Sequence, residues 1–316
     1  MNSELYVPRR FVRFVEDNKP RISRIYTNLF EFFITFAKEY SMTMKPKSIK
    51  RIFLSFAGLM AICGTLLAAQ SCKTPHRDKK GTDKKQVGME IPVYTTARPE
   101  QRITHIGYTV SYNPDWRIPN WVAYELTADE VLGTTPRAQH FEIDPEVKGI
   151  CADPRDYSSS NYDRGHMAPA GDMKWSWQAM QESFYMTNVC PQDRNLNSGD
   201  WNSLEERARG WATAFKNLYI VCGPIVSEEP QTIGYHKVAV PDAFFKVLLC
   251  QNDGKWQAIG FLYPNVAGHH PMSQYCKTID EIEALTGIDF FPALPDKVEN
   301  AVEAAYDLSA WRIRGN

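Results

Sequence analysis

Two short stretches of the sequence combine a potential base, a potential metal ligand and several cationic side chains. Residues 163–170 read DRGHMAPA, and this motif contains Arg164 and His166. A series with a four-residue spacing follows and consists of Asn197, Trp201, Glu205 and Arg209. A histidine base, an oxygen ligand for a metal, a carboxylate that orients water and guanidinium groups that bind phosphate together suit metal-assisted phosphodiester hydrolysis.

The four-residue spacing indicates a helix that presents these side chains on one side. Each step of four advances about 400° around a helix, so successive side chains drift by only about 40°. Asn197 and Glu205 would lie about 12 Å apart along the axis, too far to ligate one ion directly. Because helical side chains lean toward the N-terminus, Glu205 could still reach back and hold a water. We therefore expect one protein ligand and several waters, which suits Mg²⁺.

Three ordered blocks of the sequence resemble one known family. They are residues 163–169, residues 187–192, which read TNVCPQ, and the spacing Asn197-x3-Trp201-x3-Glu205. Together they resemble the DNA/RNA non-specific endonuclease family, the ββα-metal or His-Me finger nucleases that include endonuclease G. The likeness extends from about residue 121 to residue 292 and covers most of the chain after residue 90.

The resemblance implies a role for each residue of these motifs. His166 matches the family's general base, and Arg164 matches an arginine that contacts phosphate. Asn197 matches the one protein side chain that binds the catalytic Mg²⁺, for which Mn²⁺ is a possible substitute. Glu205 matches the carboxylate that holds a metal-bound water, and Arg209 falls where the family has an arginine facing the transition state.

Further arginines are expected to bind the substrate. The family has an arginine upstream of the motif, and Arg137 is the nearest candidate. Of the 36 basic and 37 acidic residues, 11 and 5 precede residue 73, which leaves 25 basic against 32 acidic residues and a net charge of −7. Attraction of a nucleic acid must then come from a local basic cleft, and binding should weaken quickly with salt. The candidates for this cleft are Arg164, Arg194, Arg207 and Arg209.

The chemistry accounts for these residue types. A phosphodiester is anionic and repels hydroxide, so a site must generate the nucleophile locally and neutralise charge on the phosphorus oxygens. Neutral imidazole can accept a proton near pH 7 because its unperturbed pKa is about 6.5. A single ion beside the leaving oxygen predicts 5′-phosphate and 3′-hydroxyl products. None of the expected contacts reads a base edge or requires a 2′-hydroxyl, so both DNA and RNA are expected substrates.

The same residues also have simpler interpretations. Asn197 with Asp200 at the third helical position is the pattern of a helix cap, and Glu205 with Arg209 is that of an exposed ion pair. The alternatives to an endonuclease are a non-catalytic nucleic-acid-binding lipoprotein at the cell surface and a narrower phosphodiesterase. The joint presence of His166, Asn197 and Glu205 favours the endonuclease over the binding protein, which would need none of this geometry. The sequence indicates no protein partner.

Strand patterns outnumber helix patterns and predict an α+β fold. We expect an antiparallel sheet with packed helices and a ββα-metal finger, from about residue 158 to 209, at the active site. The predicted strands are 106–111, 122–126, 184–188 and 218–222, followed by a hairpin of 244–250 with 256–263 across Asn252-Asp253-Gly254. The predicted helices are 200–215, a segment from Thr278 that ends before Gly287, and 297–308.

The cysteines are compatible with an oxidising compartment. Five lie after residue 72, an odd number that leaves at least one thiol free. Cys222 lies in an apolar run and is expected in the core. Cys250 and Cys276 are the preferred disulfide.

The chain is predicted to have four parts. They are residues 1–43, an extension from a start codon assigned too early or a short cytoplasmic segment; 44–72, a signal or membrane anchor; 73–90, a flexible linker; and 91–316, the endonuclease domain. Small residues before Cys72 resemble a bacterial lipoprotein signal, in which Cys72 becomes the lipidated N-terminus, and an uncleaved membrane span is the alternative. Both interpretations place the enzyme outside the cytoplasm, tethered to a membrane in the periplasm or at the cell surface of a bacterium.

Overall fold

The structure, a computed structural model, describes residues 88–314. A seven-stranded antiparallel sheet lies at the centre of this part of the chain. The strands of this part are β1 Val93–Tyr94, β2 Gln101–Thr104, β3 Thr109–Asn113, β4 Ile118–Thr127, β5 Tyr162–His166, β6 Val189–Asp193, β7 Asn217–Ile225, β8 Thr232–Ile233, β9 Val238–Ala239, β10 Ala243–Asn252, β11 Lys255–Pro264, β12 Cys276–Lys277 and β13 Ile288–Asp289. The large sheet has the order β12-β11-β10-β7-β4-β3-β2, and separate pairs join β1 with β13, β5 with β6 and β8 with β9.

Separate helices accompany the sheet. They are α1 Ala128–Val131, α2 Trp177–Glu182, α3 Arg194–Leu196, α4 Asn202–Phe215, α5 Ile279–Thr286 and α6 Asp296–Glu303. A π-helical segment, Asn197–Trp201, joins α3 to α4. Short 3-10 turns are Pro154–Tyr157, Ala170–Asp172, Met186–Asn188 and Met272–Tyr275. Antiparallel strands with separately placed helices confirm the predicted α+β class.

Both faces of the sheet are buried, and each carries its own helices. Successive residues of a strand point to opposite faces, so in β10 Phe244 and Leu248 join one core cluster while Phe245 and Val247 join the other. α4 covers the first face with Leu204, Ala208, Trp211 and Ala212. α5 and α6 cover the second face with Ile279, Ile282, Val298 and Val302.

Two predictions from local sequence rules are confirmed. The β10–β11 hairpin turns at Asp253 and Gly254, whose φ angles are 47° and 76°, as a two-residue type I′ turn requires. α5 begins with a capping box between Thr278 and Glu281 and ends at Gly287, which has a left-handed conformation with φ 63°.

The strand predicted at 184–188 is wrong. Apart from an isolated bridge between Tyr185 and Glu142, these residues form turns, and the strand is β6, which begins at Val189. The buried Asn188 side chain explains the difference, because its amide nitrogen donates to the carbonyls of Ala168 and Ser183 and its oxygen accepts from the Ala168 N–H, each at 2.8 Å. A side chain that satisfies several backbone groups competes with strand pairing.

Other element boundaries also differ from the predictions. The strand predicted at 106–111 corresponds to β3, which starts at Thr109. The helix predicted from residue 200 has an earlier beginning in α3 and the π-helical segment. The helix predicted at 297–308 ends at Glu303.

The predicted disulfide between Cys250 and Cys276 is wrong. Cys250 lies on β10 and Cys276 on β12, and β11 separates these two strands. Neighbouring strands are about 4.8 Å apart, so the two backbones are roughly 9 to 10 Å apart, beyond the reach of a disulfide. Within residues 88–314 all five cysteines are free thiols. Cys222 is fully buried in the first core cluster, as predicted.

The predicted N-terminal features lie outside the described residues. This applies to the extension at 1–43, to the signal and lipidated Cys72 at 44–72, and to most of the linker. Between residues 88 and 314, no helix has the length and apolar character needed to cross a membrane.

Candidate active site

The two-stranded sheet of β5 and β6 and the helical run that follows it position the motif residues. β5 carries Asp163 and His166 and pairs antiparallel with β6. Gly165 is needed between them, because a Cβ at this position would collide with the Gln192 side chain. α3, the π-helical segment and α4 follow β6 directly, and the indole N–H of Trp201 in this run donates to the His166 carbonyl (3.3 Å). The strand with the histidine is therefore joined to the helical run.

The His166 imidazole packs between two aromatic rings. The centroids of Phe141 and Phe184 lie 5.1 and 4.9 Å from the imidazole centroid, and His166 is 7% exposed. Its Nε2 atom is buried and has no hydrogen-bond partner in the described part of the chain. Burial, together with the charge of Arg137, lowers the pKa of His166 to about 3. The imidazole is therefore neutral at pH 7.

A neighbouring carboxylate fixes the orientation of Asn197. The Asn197 Nδ2 atom donates to Asp163 Oδ2 (3.1 Å), and the other oxygen of Asp163 accepts from Arg194 Nε (3.2 Å). The amide oxygen of Asn197 is therefore directed away from Asp163. An amide oxygen is a hard ligand of the kind that Mg²⁺ prefers, so Asp163 is a positioning residue for a candidate metal ligand.

Asn197 does not cap the N-terminus of a helix, so the simpler interpretation of this residue is wrong. The helical run begins at α3, where the Asp193 side chain accepts from two backbone N–H groups. Asn197 itself has helical dihedral angles, φ −56° and ψ −49°. The π-helical turn follows, and Gly199 within it departs from helical geometry with φ −106° and ψ −105°. Such wide turns are frequent at functional sites, and this one interrupts the regular spacing assumed from the sequence.

The Glu205 carboxylate lies half-buried on α4 among charged groups. Burial raises the pKa of Glu205 to about 7, although the positive charge of Lys246 opposes this shift. Lys246 is 0% exposed, and its ammonium lies 4.5 Å from the centroid of the Trp201 ring. It extends from β10 toward the face that α4 covers. The buried ammonium therefore favours the ionised form of the carboxylate above it.

A buried carboxylate holds the Arg209 guanidinium. Asp172 is 0% exposed; its Oδ1 accepts from Arg209 Nη1 and its Oδ2 from the Tyr124 hydroxyl, both at 2.9 Å. Gly171 leaves room for this contact, since a Cβ there would lie 2.6 Å from Arg209 Nη1. Arg209 is thus fixed one helical turn after Glu205.

Arg137 acts electrostatically on two of the candidate residues. Its exposed guanidinium lies 5.0 Å from the centroid of Phe184, one of the rings that cover His166. Its positive charge adds to the lowering of the His166 pKa and partly opposes the rise that burial causes in the Glu205 pKa. His166 and Glu205 come from different elements, yet the charge of this one arginine acts on both.

The other candidate arginines differ in their surroundings. Arg194 is 72% exposed and reaches solvent, whereas half-buried Arg164 donates from Nη2 to the Pro154 carbonyl (2.6 Å). Arg207 does not join the cleft, contrary to the prediction. Its Nη2 donates to the Arg312 carbonyl (2.9 Å), because two residues along a helix rotate a side chain by about 200°, away from the face with Glu205.

The available donors fit a hard divalent cation. Asn197 offers an amide oxygen with a fixed orientation, and Glu205 offers carboxylate oxygens that Lys246 helps to keep ionised. Oxygen donors of this kind select Mg²⁺, Ca²⁺ or Mn²⁺ over softer metals.

Sequence reasoning missed the roles of Asp163, Asp172 and Lys246. Asp163 stands in the motif, but nothing in its spacing shows that it bonds Asn197. A lone lysine in the apolar run of β10 is a signal that could have identified Lys246 as a buried charge. Asp172 has no comparable signal in the sequence.

Removing the Asp163 carboxylate is expected to weaken metal binding. In Asp163→Ala the Asn197 amide loses its hydrogen bond, and the loss of such a supporting partner typically costs about 10–100-fold in metal affinity. The Mg²⁺ concentration for half-maximal plasmid cleavage should rise accordingly, with the rate recovering at high Mg²⁺. Arg194→Ala is the matched control, because it breaks the other bond of Asp163 and keeps the bond to Asn197. This variant should need a higher substrate concentration for half-maximal cleavage but the same Mg²⁺ concentration. An unchanged Mg²⁺ requirement in Asp163→Ala would contradict this role.

His166 is expected not to titrate between pH 5 and 8. Its pKa is lowered in the folded state, so its contribution to stability is present above about pH 6.5 and is lost as the pH falls toward 3. The imidazole NMR signal, identified by its absence in His166→Ala, should stay constant in the wild type. In Phe141→Ala the ring loses part of its cover, and its pKa should move toward 6.5. Titration of wild-type His166 near 6.5 would disprove the effect of burial.

Comparisons with known proteins agree with this arrangement. A family model described as DNA/RNA non-specific endonuclease matches residues 88–297. The chain is similar to mitochondrial nuclease EXOG of Danio rerio, with 36% identity over 207 residues, and spans 60% of that protein with 60% of its own length. It is also similar to mitochondrial nuclease EXOG of Xenopus laevis, with 31% identity over 268 residues, which are 79% of this chain and 74% of that protein.

A solved structure shares the fold. The crystal structure of the EndoG/EndoGI complex matches with a TM-score of 0.59 and 29% identity, over 63% of this chain and 89% of that chain. The matched family model covers more than half of the present chain. The chain therefore belongs to the DNA/RNA non-specific endonuclease family, whose members are generally divalent-metal-dependent nucleases.

Proposed function

We propose that this protein is a Mg²⁺-dependent endonuclease that hydrolyses the phosphodiester bonds of DNA and RNA. The observation that carries the proposal is that Asp163, on the same strand as His166, orients Asn197 in the helical run that leads to Glu205. A base, oxygen ligands and positive charge are the groups that hydrolysis of an anionic diester requires.

His166 acts as the base in this proposal. Because Nε2 is buried in the structure, side chains around the imidazole have to move to admit water. An anionic phosphate beside the imidazole raises its pKa, which opposes burial and Arg137 and makes Nε2 a stronger base when substrate is bound. The water gives a proton to Nε2 and its oxygen bonds to phosphorus. The bond to the 3′ oxygen breaks, and that oxygen takes a proton from solvent.

Other side chains prepare the site for this step. Mg²⁺, or Mn²⁺ in its place, would be held by Asn197 directly and by Glu205 through water, and would supply positive charge at the phosphate oxygens. Arg209 adds a guanidinium that Asp172 keeps in place, and such a preorganised charge stabilises the transition state. Glu205 has to be ionised to orient water, and the Lys246 ammonium supports that state.

Arginines at the edge of the site are proposed to bind the nucleic-acid backbone. Exposed Arg137 and Arg194 can contact phosphates, and Arg164 would add a third contact after releasing the Pro154 carbonyl. Backbone contacts carry little sequence information, so cleavage should be non-specific. The net charge of the chain after residue 72 is negative, so attraction of nucleic acid depends on these local arginines. Cleavage should therefore slow as the salt concentration increases.

A direct assay tests this proposal. Full-length protein should convert supercoiled plasmid to nicked and linear forms and should degrade RNA in the presence of Mg²⁺, and a chelator should stop both reactions. Binding of either nucleic acid without turnover would instead support a binding lipoprotein. Hydrolysis of a small phosphodiester, with plasmid and RNA intact, would support a narrower phosphodiesterase.

We further propose that Cys72 carries lipid and tethers the domain outside the cytoplasm. The basic segment before residue 52, the uncharged segment that ends at Cys72 and the polar residues after it support this proposal. Expressed in a Gram-negative host, the protein should partition to membranes with a mature mass that begins at Cys72 plus acyl chains. Cys72→Ala should block this processing, and an N-terminus upstream of residue 52 in the mature protein would indicate an uncleaved span.

A further inference from the structure

Five carboxylates from α5, β13 and α6 gather beside the sheet face that lies opposite α4. They form two groups that share one residue, Asp280 with Glu283 and Glu303, and Asp289 with Glu299 and Glu303. Within each group, one oxygen from every residue lies within 4.8 Å of the others. Two oxygens on opposite sides of a Ca²⁺ ion are separated by about 5 Å, because each lies about 2.4 Å from the ion.

Helix periodicity explains why these side chains meet. Asp280 and Glu283 are three residues apart on α5, and Glu299 and Glu303 are four apart on α6, so each pair shares one side of its helix. The two helices contact each other above the second core cluster. Asp289, on the short strand β13 that follows α5, completes the set.

Glu303 needs a neutralising partner in this cluster. It is 6% exposed, and its Oε1 atom is buried without a hydrogen-bond partner among residues 88–314; the same is true of Glu299 Oε1. A buried, unpaired carboxylate is strongly unfavourable unless a cation or a proton neutralises it. The ion pair beside the start of α5 joins Lys277 to Glu281, which does not belong to either group.

Burial and neighbouring charges change the pKa values of these carboxyl groups. Burial and the neighbouring carboxylates raise the pKa of Glu303 to about 8, and burial raises that of Glu283 to about 7. Bringing these carboxyl groups together therefore opposes their ionisation, which a nearby cation favours.

We propose that these two groups of carboxylates bind Ca²⁺ around Glu303, the residue they share, and so tie α5, β13 and α6 together. All donors are oxygens, which disfavours softer metals. Ca²⁺ accepts about six to eight oxygens in flexible geometry, whereas Mg²⁺ requires a regular octahedron and retains several waters. Crowded carboxylates from three elements suit the larger ion. The site is separate from Asn197 and Glu205, which belong to the helical run on the other side of the sheet.

Thermal unfolding of metal-free, full-length protein tests this site. At about 100 times its dissociation constant, Ca²⁺ should raise the Tm by roughly 5–10 °C, and Mg²⁺ should raise it less. The rise should be larger at pH 8 than at pH 5, because protons compete for the same oxygens. Glu303→Gln and Glu299→Gln should each lose the response to Ca²⁺ while retaining plasmid cleavage at saturating Mg²⁺.

Two controls separate this site from other effects. Glu229→Gln removes an equal charge from an exposed loop and should respond as the wild type does. Asn197→Ala, which alters the candidate catalytic site, should also keep the response. The proposal is overturned if Ca²⁺ neither binds to wild-type protein in calorimetry nor raises its Tm, if both cluster variants respond normally, or if Asn197→Ala abolishes the response. A Tm that depends on pH but not on Ca²⁺ would mean that the carboxylates share protons only.

Discussion

Replacing His166 with alanine is expected to slow plasmid cleavage by roughly 10²–10⁴-fold or more. The variant retains the metal ligands and the arginines but lacks the group that accepts the proton of water, and general base catalysis typically contributes a factor of this size. Initial rates at saturating Mg²⁺ and substrate measure the effect.

Two controls make the His166→Ala result interpretable. The Tm of the variant should show that it is folded, since the residue is buried between Phe141 and Phe184. His270→Ala removes an exposed histidine from a loop and should leave the rate unchanged. A folded His166→Ala protein with near wild-type activity would exclude this residue as the base.

Replacing Asn197 with alanine is expected to produce the largest change in the metal requirement. Loss of a supporting residue already costs about 10–100-fold in affinity, so loss of the one direct ligand should raise the Mg²⁺ concentration for half-maximal cleavage by more than about 100-fold. A Mg²⁺ titration of the cleavage rate measures this shift. Glu205→Gln should instead lower the rate mainly at saturating Mg²⁺, because the water it orients is lost.

The matched control for Asn197→Ala is Asn195→Ala. Asn195 is an exposed residue of the same helical run, and its backbone N–H still donates to Asp193 after the change. Its Mg²⁺ requirement should equal that of the wild type. A normal Mg²⁺ requirement in folded Asn197→Ala would remove Asn197 from the metal site.

The architecture could be predicted where local rules govern it. The type I′ turn at Asp253-Gly254 and the α5 boundaries at Thr278 and Gly287 depend on residues close in sequence, and both predictions are confirmed. The strand predicted at 184–188 is wrong because the Asn188 side chain forms two of its hydrogen bonds with the backbone of Ala168, 20 positions away. Long-range contacts of this kind leave no periodic pattern.

Some residues of the candidate site could likewise be predicted from the sequence, and others could not. His166, Asn197 and Glu205 could be selected from motif and spacing, but the supporting residues Asp172 and Lys246 could not. Asp172 belongs to the site because folding brings it to Arg209, 37 positions away. The π-helical turn after Asn197 also escaped prediction, because the four-residue spacing suggested an uninterrupted α-helix.

The α4 register explains the incorrect assignment of Arg207. Composition alone groups it with Arg209 as a basic pair, yet the two side chains leave the helix in nearly opposite directions. Arg209 donates to buried Asp172 on the side of α4 that also carries Glu205, and Arg207 donates to the Arg312 carbonyl. Helix phase therefore decides which charges can contact a substrate.

Cleavage in ¹⁸O-labelled water identifies the nucleophile and the bond that breaks. If His166 activates a water that attacks phosphorus while the bond to the 3′ oxygen breaks, mass spectrometry of cleaved oligonucleotides should find one ¹⁸O atom in each new 5′-phosphate and none in the 3′-hydroxyl. The result should be the same for DNA and RNA. Products with 3′-phosphate or 2′,3′-cyclic phosphate ends, or label in the 3′-hydroxyl, would contradict the proposed reaction.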